Sequence, residues 1–217
     1  MIMKKIQMQW VVSAMLLLMA TPVCGQSRYC NSYEDFVGNR WEQLDTIYLV
    51  GHSKSRQLWW GGNDYTLTSG DDAIDKMLKK DAFVVMQGDS IYLNCHNLRY
   101  QKTVFGNGFT KARRVGGQSL LFVNKIVGKE AMSGVMLGAI GGAIAASKQM
   151  KQQVCYVVSN GADKKGRIEV RLIDDELMDQ LIANRADLHD EYYAEKKASK
   201  RRLATHIIPI LEKAGLL

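Results

Sequence analysis

The chain has 217 residues, with 29 Lys and Arg against 22 Asp and Glu, so its formal net charge at pH 7 is +7. A charge of this size favours anionic surfaces only slightly, and no basic stripe interleaved with aromatic residues is present. The composition therefore gives no reason to expect a nucleic-acid partner.

The first 25 residues have the pattern of a cleaved signal peptide. Lys4 and Lys5 form a basic start, residues 10–20 form an apolar stretch, and small residues precede a cut before Gln26. This apolar stretch is about half as long as the roughly 20 residues that a transmembrane helix needs, which argues against a retained anchor. We therefore predict an exported protein, located in the periplasm or at the outer membrane.

Lipidation of Cys24 is the alternative to simple cleavage. Lipoprotein signals normally carry a small residue before that cysteine, and this chain has Val23 there. Removal of residues 1–25 takes away Lys4 and Lys5, so the mature charge is 27 − 22, or +5. Residues 26–217 are long enough for a single domain with a sizeable core.

Short helices and strands are predicted in the first half of the mature chain. Ser32, followed by Glu34 and Asp35, indicates a capped helix, and residues 71–80 have acids first and lysines last, as the helix dipole favours. The predicted strands, rich in β-branched and aromatic residues, cover residues 44–50, 57–60, 65–68, 83–87 and 90–96. Gly88-Asp89 is a two-residue link typical of a β-hairpin turn.

Residues 99–118 contain the glycine-rich, basic segment FGNGFTKARRVGG. A phosphate-binding loop needs a Gly-Lys-Ser/Thr ending after a strand, whereas Lys111 follows Phe109 and Thr110. We therefore predict a loop or irregular edge strand that displays Lys111, Arg113 and Arg114. A strand over residues 120–127 follows it.

Residues 131–147, AMSGVMLGAIGGAIAAS, form a segment without a charge. Gly134, Gly138, Gly142 and Ala146 recur every four residues and would line one face of a helix, as in a glycine zipper. Each glycine costs a helix about 1 kcal/mol relative to alanine, so packing or lipid must compensate. Three interpretations remain open: a buried core helix, a helix that packs on a membrane or on a partner helix (including a second copy of the chain), and a non-helical loop.

The last part of the chain predicts a hairpin followed by helices. Residues 153–158 and 167–173 form the two strands, and the polar–apolar alternation of the second indicates an antiparallel sheet with one wet face. Asp174 caps a predicted helix through Ala183, and another helix begins near Asp187. Pro209 should kink or restart the last helix. Together these elements predict an α+β fold, with the glycine-rich helix and the C-terminal helices packed on one face of the sheet.

Cys30, Cys95 and Cys155 remain in the mature chain, in a compartment where disulfides persist. Cys95 and Cys155 both lie in apolar strand-like runs, so they are the candidate pair if their strands are neighbours. The alternative is that both are small buried hydrophobic residues. The histidines and cysteines show no metal-ligand spacing, and no metal or cofactor is predicted.

Candidate functions follow from these features without a catalytic motif. A non-enzymatic envelope protein would use the glycine face of residues 131–147. A glycan-binding module would use Trp59, Trp60 and Tyr65 as a stacking platform if they are exposed, whereas buried rings would belong to the core. A thiol hydrolase would need Cys95 and a histidine brought close by folding, because adjacent His96 points to the other face of a strand.

The chain resembles an uncharacterised family of exported proteins from anaerobic gut bacteria. The resemblance covers most of the mature chain and rests on residues 32–37 (SYEDFV), 57–65 (QLWWGGNDY), 88–95 (GDSIYLNC), the glycine-rich segment and residues 166–188 (GRIEVRLIDDELMDQLIANRADL). It implies export and a single domain. No activity is assigned to that family, so the resemblance carries over no catalytic residue.

Overall fold

The computed structural model describes residues 26–60, 62–128, 152–161 and 168–217. Its large antiparallel sheet and C-terminal helices confirm the predicted α+β class. The predicted signal peptide (residues 1–25) and glycine-rich helix (residues 131–147) lie outside the described residues, so both stay predictions.

Twelve strands are found in the described residues, and ten of them form one sheet. The strands are β1 (Ser27–Cys30), β2 (Glu42–Leu44), β3 (Tyr48–Gly51), β4 (Tyr65–Thr68), β5 (Val84–Gln87), β6 (Ser90–Asn94), β7 (Arg99–Tyr100), β8 (Thr103–Val104), β9 (Phe109–Val115), β10 (Ser119–Lys125), β11 (Gln153–Asn160) and β12 (Ile168–Leu172). Eight of them follow the order β12-β11-β10-β9-β6-β5-β1-β2, and β3 pairs with β4, which joins β9. All these pairs are antiparallel.

Seven helices are found in the described residues. They are α1 (Tyr33–Val37), α2 (Lys54–Trp60), α3 (Asp72–Lys80), α4 (Asp175–Leu181), α5 (Ala186–Ala194), α6 (Ala198–Arg201) and α7 (Ala204–Lys213). Ser32, Asp71 and Asp174 each accept a hydrogen bond from a backbone N–H in the first turn of the following helix. These caps confirm the predicted starts of α1 and α4, and α3 begins within one residue of its prediction.

The sheet has a hydrophobic core on each face. Phe122 and Tyr156 lie in the core on one face, which α1 and the β7–β8 hairpin help to close. Because side chains alternate along a strand, Leu121 and Cys155 lie on the other face, where α4, α5 and α7 cover them. Helix α3 covers another part of this second face, against β4, β5, β6 and β9. The C-terminal helices thus pack on one face, as predicted.

A buried ion pair joins the C-terminal helices. The Arg201 guanidinium is 9% exposed and donates from Nε and Nη2 to the two carboxylate oxygens of Asp175, at 3.1 and 2.5 Å. The Tyr192 hydroxyl also donates to Asp175, at 2.8 Å. The hydrogen bonds from Arg201 lower the pKa of Asp175 despite the opposing effect of burial.

Several predicted elements differ from the structure. Residues 44–50, predicted as one strand, are divided between the end of β2 and β3. The last helix does not restart at Pro209, which lies inside α7. Residues 109–115, predicted as a loop or edge strand, form β9 near the middle of the sheet between β6 and β10. Residues 57–60, predicted as a strand, belong to helix α2. The predicted hairpins β5–β6 and β11–β12 are confirmed.

Candidate ligand-binding cleft

A cleft of about 290 Å³ opens where β4 parts from β9. Its volume lies at the lower end of the range of about 300 to 1,000 Å³ that is typical of small-molecule sites. Buried apolar side chains and polar groups line it together. The lining residues are His52, Gly62, Thr66, Leu67, Asp75, Lys79, Asn107, Gly108 and Phe109.

The cleft exists because β4 and β9 meet at a single point. Tyr65 pairs with Phe109, and no other pair joins the two strands within the described part of the chain. Gly108 has a φ of +97°, and a Cβ at this position would lie 2.8 Å from the Tyr65 carbonyl oxygen. Glycine is therefore required for this close approach. Beyond it the two chains diverge and leave the cleft between them.

The backbone of Leu67 faces this cleft. Successive residues of a strand direct their N–H and C=O groups to alternate sides. The Asp64 carbonyl oxygen accepts a hydrogen bond of 2.7 Å from the His52 N–H on the β3 side, so Leu67, three residues later, faces the opposite side. No strand in the described residues pairs with β4 at Leu67 on that side, and Leu67 is only 3% exposed. Its buried backbone donor and acceptor therefore lack a partner among the described residues.

Asn63 holds together two loops that line the cleft. Its side chain is 3% exposed, and Nδ2 lies within 3.3 Å of the carbonyl oxygens of Phe105 and Gly106 and 3.0 Å from that of Asn107. Its Oδ1 accepts a hydrogen bond of 2.8 Å from Asn124 of β10. Asn63 thus fixes the loop before β4 to the loop before β9.

Asp64 fixes the same loop to helix α2. Its Oδ1 accepts hydrogen bonds from Lys54 at 2.7 Å and Gln57 at 3.0 Å, and its Oδ2 accepts one from the buried hydroxyl of Thr110 at 3.1 Å. Burial alone would raise the pKa of Asp64, but the hydrogen bonds and the Lys54 charge outweigh burial and lower it. Asp64 is thus an ionised structural anchor.

His52 has a defined tautomer beside the cleft. Its Nδ1 lies 2.9 Å from the Asn63 carbonyl oxygen, which can only accept, so Nδ1 carries the hydrogen. In the neutral ring, Nε2 is then an acceptor, and the Thr66 hydroxyl at 3.1 Å donates to it. This imidazole–hydroxyl pair forms part of the polar lining.

Asp75 is already hydrogen-bonded within the protein, whereas Lys79 forms no ion pair with the described residues. The Asp75 carboxylate accepts hydrogen bonds from the Thr68 hydroxyl and from the N–H and hydroxyl of Ser69, at 2.5 to 2.9 Å. These bonds, led by that from Thr68, lower the pKa of Asp75. Lys79 is exposed and belongs to none of the ion pairs found in the described residues. The cleft therefore offers a cation to a ligand.

Asn107 adds an amide to the same rim. It is exposed, and its Oδ1 accepts a hydrogen bond of 2.6 Å from Nδ1 of His96. The two Nδ2 hydrogens have no partner among the described residues. They are available to a carbonyl or carboxylate oxygen in the cleft.

Tyr65, one of the three aromatic residues singled out in the sequence, is not among the described residues that line this cleft. Tyr65 packs edge-on against Tyr92, with ring centroids 5.5 Å apart, and belongs to the core beneath α3. Trp59 and Trp60 are the last residues of α2, two positions before Gly62, and their side chains lie outside the described structure. The stacking platform of Trp59, Trp60 and Tyr65 stays a prediction.

The proposed disulfide is absent. Cys30, Cys95 and Cys155 are free and buried. Cys95 follows β6 whereas Cys155 lies in β11, so β9 and β10 separate them, and they lie in cores on opposite faces of the sheet. Burial raises the pKa of Cys155 to about 12 and also raises that of Cys95. A buried protonated thiol at Cys95 gives no support to a thiol hydrolase.

The glycine face formed by Gly134, Gly138, Gly142 and Ala146 lies outside the described residues. Within the described ranges, no helix combines the length and apolar character that a membrane span requires. The same ranges contain no group of three or more His, Cys, Asp or Glu side chains that could hold a metal ion.

The sequence pattern indicates both loops of the cleft but does not show that they meet. The predicted strands at residues 57–60 and 65–68 leave a connecting segment that contains Gly62 and Asn63, and residues 106–108 lie in the predicted glycine-rich loop. His52, Thr66, Lys79 and Asn107 carried no motif. The glycines at the ends of two unrelated strands were the one local signal, because they mark backbone that other chain segments approach closely.

Comparison with known proteins places the chain in a family without assigning a function. No curated protein and no solved structure matches it. A family model described as "Family of unknown function (DUF6563)" matches residues 28–217, which is most of the chain. The chain therefore belongs to the DUF6563 family of unknown function.

Proposed function

We propose that the protein is exported to the cell envelope and acts there as a non-enzymatic binding protein that holds a small ligand in the cleft beside β4. The signal-like pattern of residues 1–25 supports export. One observation carries the binding role: the Leu67 backbone, the Lys79 ammonium and the Asn107 amide all line one cleft and have hydrogen-bonding capacity that the described residues leave unused. The Leu67 backbone groups are shielded from water, and shielded polar groups without partners cost free energy, so an occupant that pairs with them is stabilised.

A nuclear magnetic resonance screen tests the binding role. Small oligosaccharides and short peptides are added to 15N-labelled protein, and we expect a binder to shift the amide signals of Gly62, Leu67 and Gly108. Lys79→Trp should block binding by filling the cleft. Lys80→Trp is the matched control, because Lys80 is also exposed on α3 but does not line the cleft. If no compound shifts these signals, or if both variants bind as the wild type does, the cleft is not the binding site.

Hydrolysis of p-nitrophenyl acetate tests whether the protein is an enzyme. The His52–Thr66 pair resembles the base and hydroxyl of a hydrolase, whose heavy atoms lie about 2.6 to 3.2 Å apart. A binding protein should hydrolyse the ester no faster than an equal concentration of free imidazole. A faster rate that disappears in Thr66→Val would contradict the non-enzymatic role.

Fractionation of cells expressing the full chain with a C-terminal tag tests export. We expect a shortened protein in the periplasmic or outer-membrane fraction. An uncut protein in the cytoplasm would contradict export. A Cys24→Ala variant separates the two forms of processing, because it releases the protein from membranes only if Cys24 carries a lipid.

Residues 131–147 provide a second candidate role, in which their glycine face packs on a membrane or on a partner helix. The uncharged sequence and the four-residue spacing of Gly134, Gly138 and Gly142 favour it. Alkaline carbonate extraction of membranes is the test. Retention in the pellet that is lost in Gly138→Leu supports a packing face, whereas extraction of the wild type with the soluble proteins contradicts membrane insertion.

Glycan binding remains a third candidate through Trp59 and Trp60. Both lie at the end of α2, directly before the loop that lines the cleft. Exposed rings should be quenched by iodide, and a bound oligosaccharide should reduce that quenching. Fluorescence that iodide leaves unchanged in Trp41→Phe, which removes another tryptophan of the described chain, would exclude a stacking platform.

A further inference from the structure

The ligand class follows from the geometry of the Leu67 backbone. We propose that the cleft binds a short acidic peptide in extended conformation, which adds to β4 at Leu67 on the side that no strand of the described residues covers. This proposal rests on the cleft being the ligand site, as proposed above. It names the chemistry that the site recognises.

The N–H and C=O of Leu67, which have no partner among the described residues, are arranged to pair with a peptide. Leu67 directs both its N–H and its C=O into the cleft, because both groups of one strand residue point to the same side. An antiparallel partner residue answers with its own C=O and N–H, and these belong to two different peptide bonds. An isolated amide, such as the acetamido group of an N-acetylated sugar, is trans and points its N–H and C=O in opposite directions. Such a group can pair with only one of the two Leu67 atoms, so a peptide fits this edge better.

The space beside β4 has the position and size for a short extended chain. The place next to Leu67 is where a continued β4–β9 ladder would run, and the close approach at Gly108 marks the point where that ladder stops. An extended chain inserted there would occupy the position of a strand, about 4.8 Å from β4. The cleft of about 290 Å³ has the size for a few residues rather than for a long chain.

The charged side chains that line the cleft favour an acidic ligand. Asp75, the carboxylate in the lining, is already engaged by Thr68 and Ser69. Lys79 is exposed without an ion-pair partner among the described residues, and the Asn107 amide, which also lines the cleft, has two hydrogens without a partner among those residues. These donors favour an acidic side chain on the peptide residue opposite Leu67, because cross-strand partners share a face and the Leu67 side chain lies on the face that α3, the helix of Lys79, covers.

The test uses defined probes with 15N-labelled protein. N-acetyl-Ala-Glu-Ala-amide is titrated against three comparison compounds: the same peptide with Gln in place of Glu, the same peptide N-methylated at Glu, and a trimer of N-acetylglucosamine. We expect the Leu67 amide signal to move downfield with the acidic peptide. N-methylation should weaken binding about 5-fold, since it removes one backbone hydrogen bond.

Variants of the two neighbouring lysines test the charge. Lys79→Gln should reduce the preference for the Glu peptide over the Gln peptide to about one, whereas Lys80→Gln should leave it unchanged. Equal binding of the N-methylated and unmodified peptides would overturn strand addition at Leu67. A preference for Glu that survives Lys79→Gln would overturn the assignment of the acidic group.

The remaining outcomes separate this proposal from the proposed function. If the sugar trimer shifts the cleft signals and the peptides do not, the cleft is a binding site but the peptide assignment is wrong. If no probe, including the broader screen, shifts any cleft signal, the proposed function fails together with it.

Discussion

Replacement of Asn63 by alanine tests the contact that holds the two cleft loops together. The Asn63 side chain is 3% exposed, and its two Nδ2 hydrogens serve three carbonyl oxygens of residues 105–107 while Oδ1 accepts from Asn124. Two donated bonds and one accepted bond, at about 1 kcal/mol each, predict a loss of about 3 kcal/mol in the free energy of unfolding. Urea denaturation followed by circular dichroism measures this loss.

Two further variants define the result that would refute this reasoning. Asn63→Asp keeps the size and the acceptor but directs a carboxylate at carbonyl oxygens, so at pH 7 it should destabilise at least as much as Asn63→Ala. Asn97→Ala removes one hydrogen bond from an exposed asparagine to Lys80 and should cost less than about 0.5 kcal/mol. A loss below about 1 kcal/mol for Asn63→Ala would show that other contacts hold the loops.

Three other predictions concern the rest of the fold. Arg201→Met should cost about 2 to 3 kcal/mol, at the low end for a broken buried pair because Asp175 is 30% exposed. The fold lowers the pKa of Asp175, so the ionised carboxylate stabilises the fold above the unfolded pKa of about 3.9, and this stabilisation is lost as pH falls through the folded pKa. Thermal melts from pH 7 to 2 should show this acid-induced loss of stability in the wild type and a smaller loss in Arg201→Met. In urea denaturation, Gly108→Ala should lower the free energy of unfolding by about 2 to 4 kcal/mol. Gly70→Ala, also at positive φ but in open space, should lower it by about 1 kcal/mol. Equal losses would exclude the close approach of Gly108 to β4. The three described thiols should resist iodoacetamide at pH 8 and react in urea without a reducing agent, as peptide mass spectrometry can show; modification that needs a reductant would reveal a disulfide.

Elements with strong local signals were predictable from the sequence. Ser32, Asp71 and Asp174 each precede a helix that they cap. Gly88 adopts a φ of +55° in the turn of the β5–β6 hairpin, which glycine tolerates. Such signals act over a few residues, so the hairpins and caps follow from them without knowledge of the rest of the fold.

Strand β9 was assigned wrongly because its pattern mixes burial with charge. Thr110 and Ala112 face one core, while Lys111 and Arg113 lie on the opposite face between the helices that cover it. Arg113 forms an ion pair with Glu212 of α7 at 2.6 Å. A central strand can therefore carry basic residues where its outer face is only partly covered, and the surrounding glycines made the segment look like a loop.

Residues 57–60 were predicted as a strand but form part of helix α2. Its Trp59 and Trp60 favour a strand by propensity. The helix instead lies against the loop before β4, where Lys54 and Gln57, three residues apart on one helical face, both bind Asp64. The contacts with Asp64, ten residues after Lys54 and seven after Gln57, outweighed local propensity.

The cleft itself depends on register, which no local pattern encodes. Its walls come from residues as far apart in the sequence as His52 and Phe109, and Asn63 and Asn107 meet because Tyr65 pairs with Phe109. Had the ladder continued by one more hydrogen-bonded pair, Leu67 would have paired within the protein and no edge would remain for a ligand. The loop around Gly108 diverges instead, so the free edge at Leu67 is a consequence of where pairing stops. The same feature that hid the site from sequence reasoning is the one that defines what it can bind.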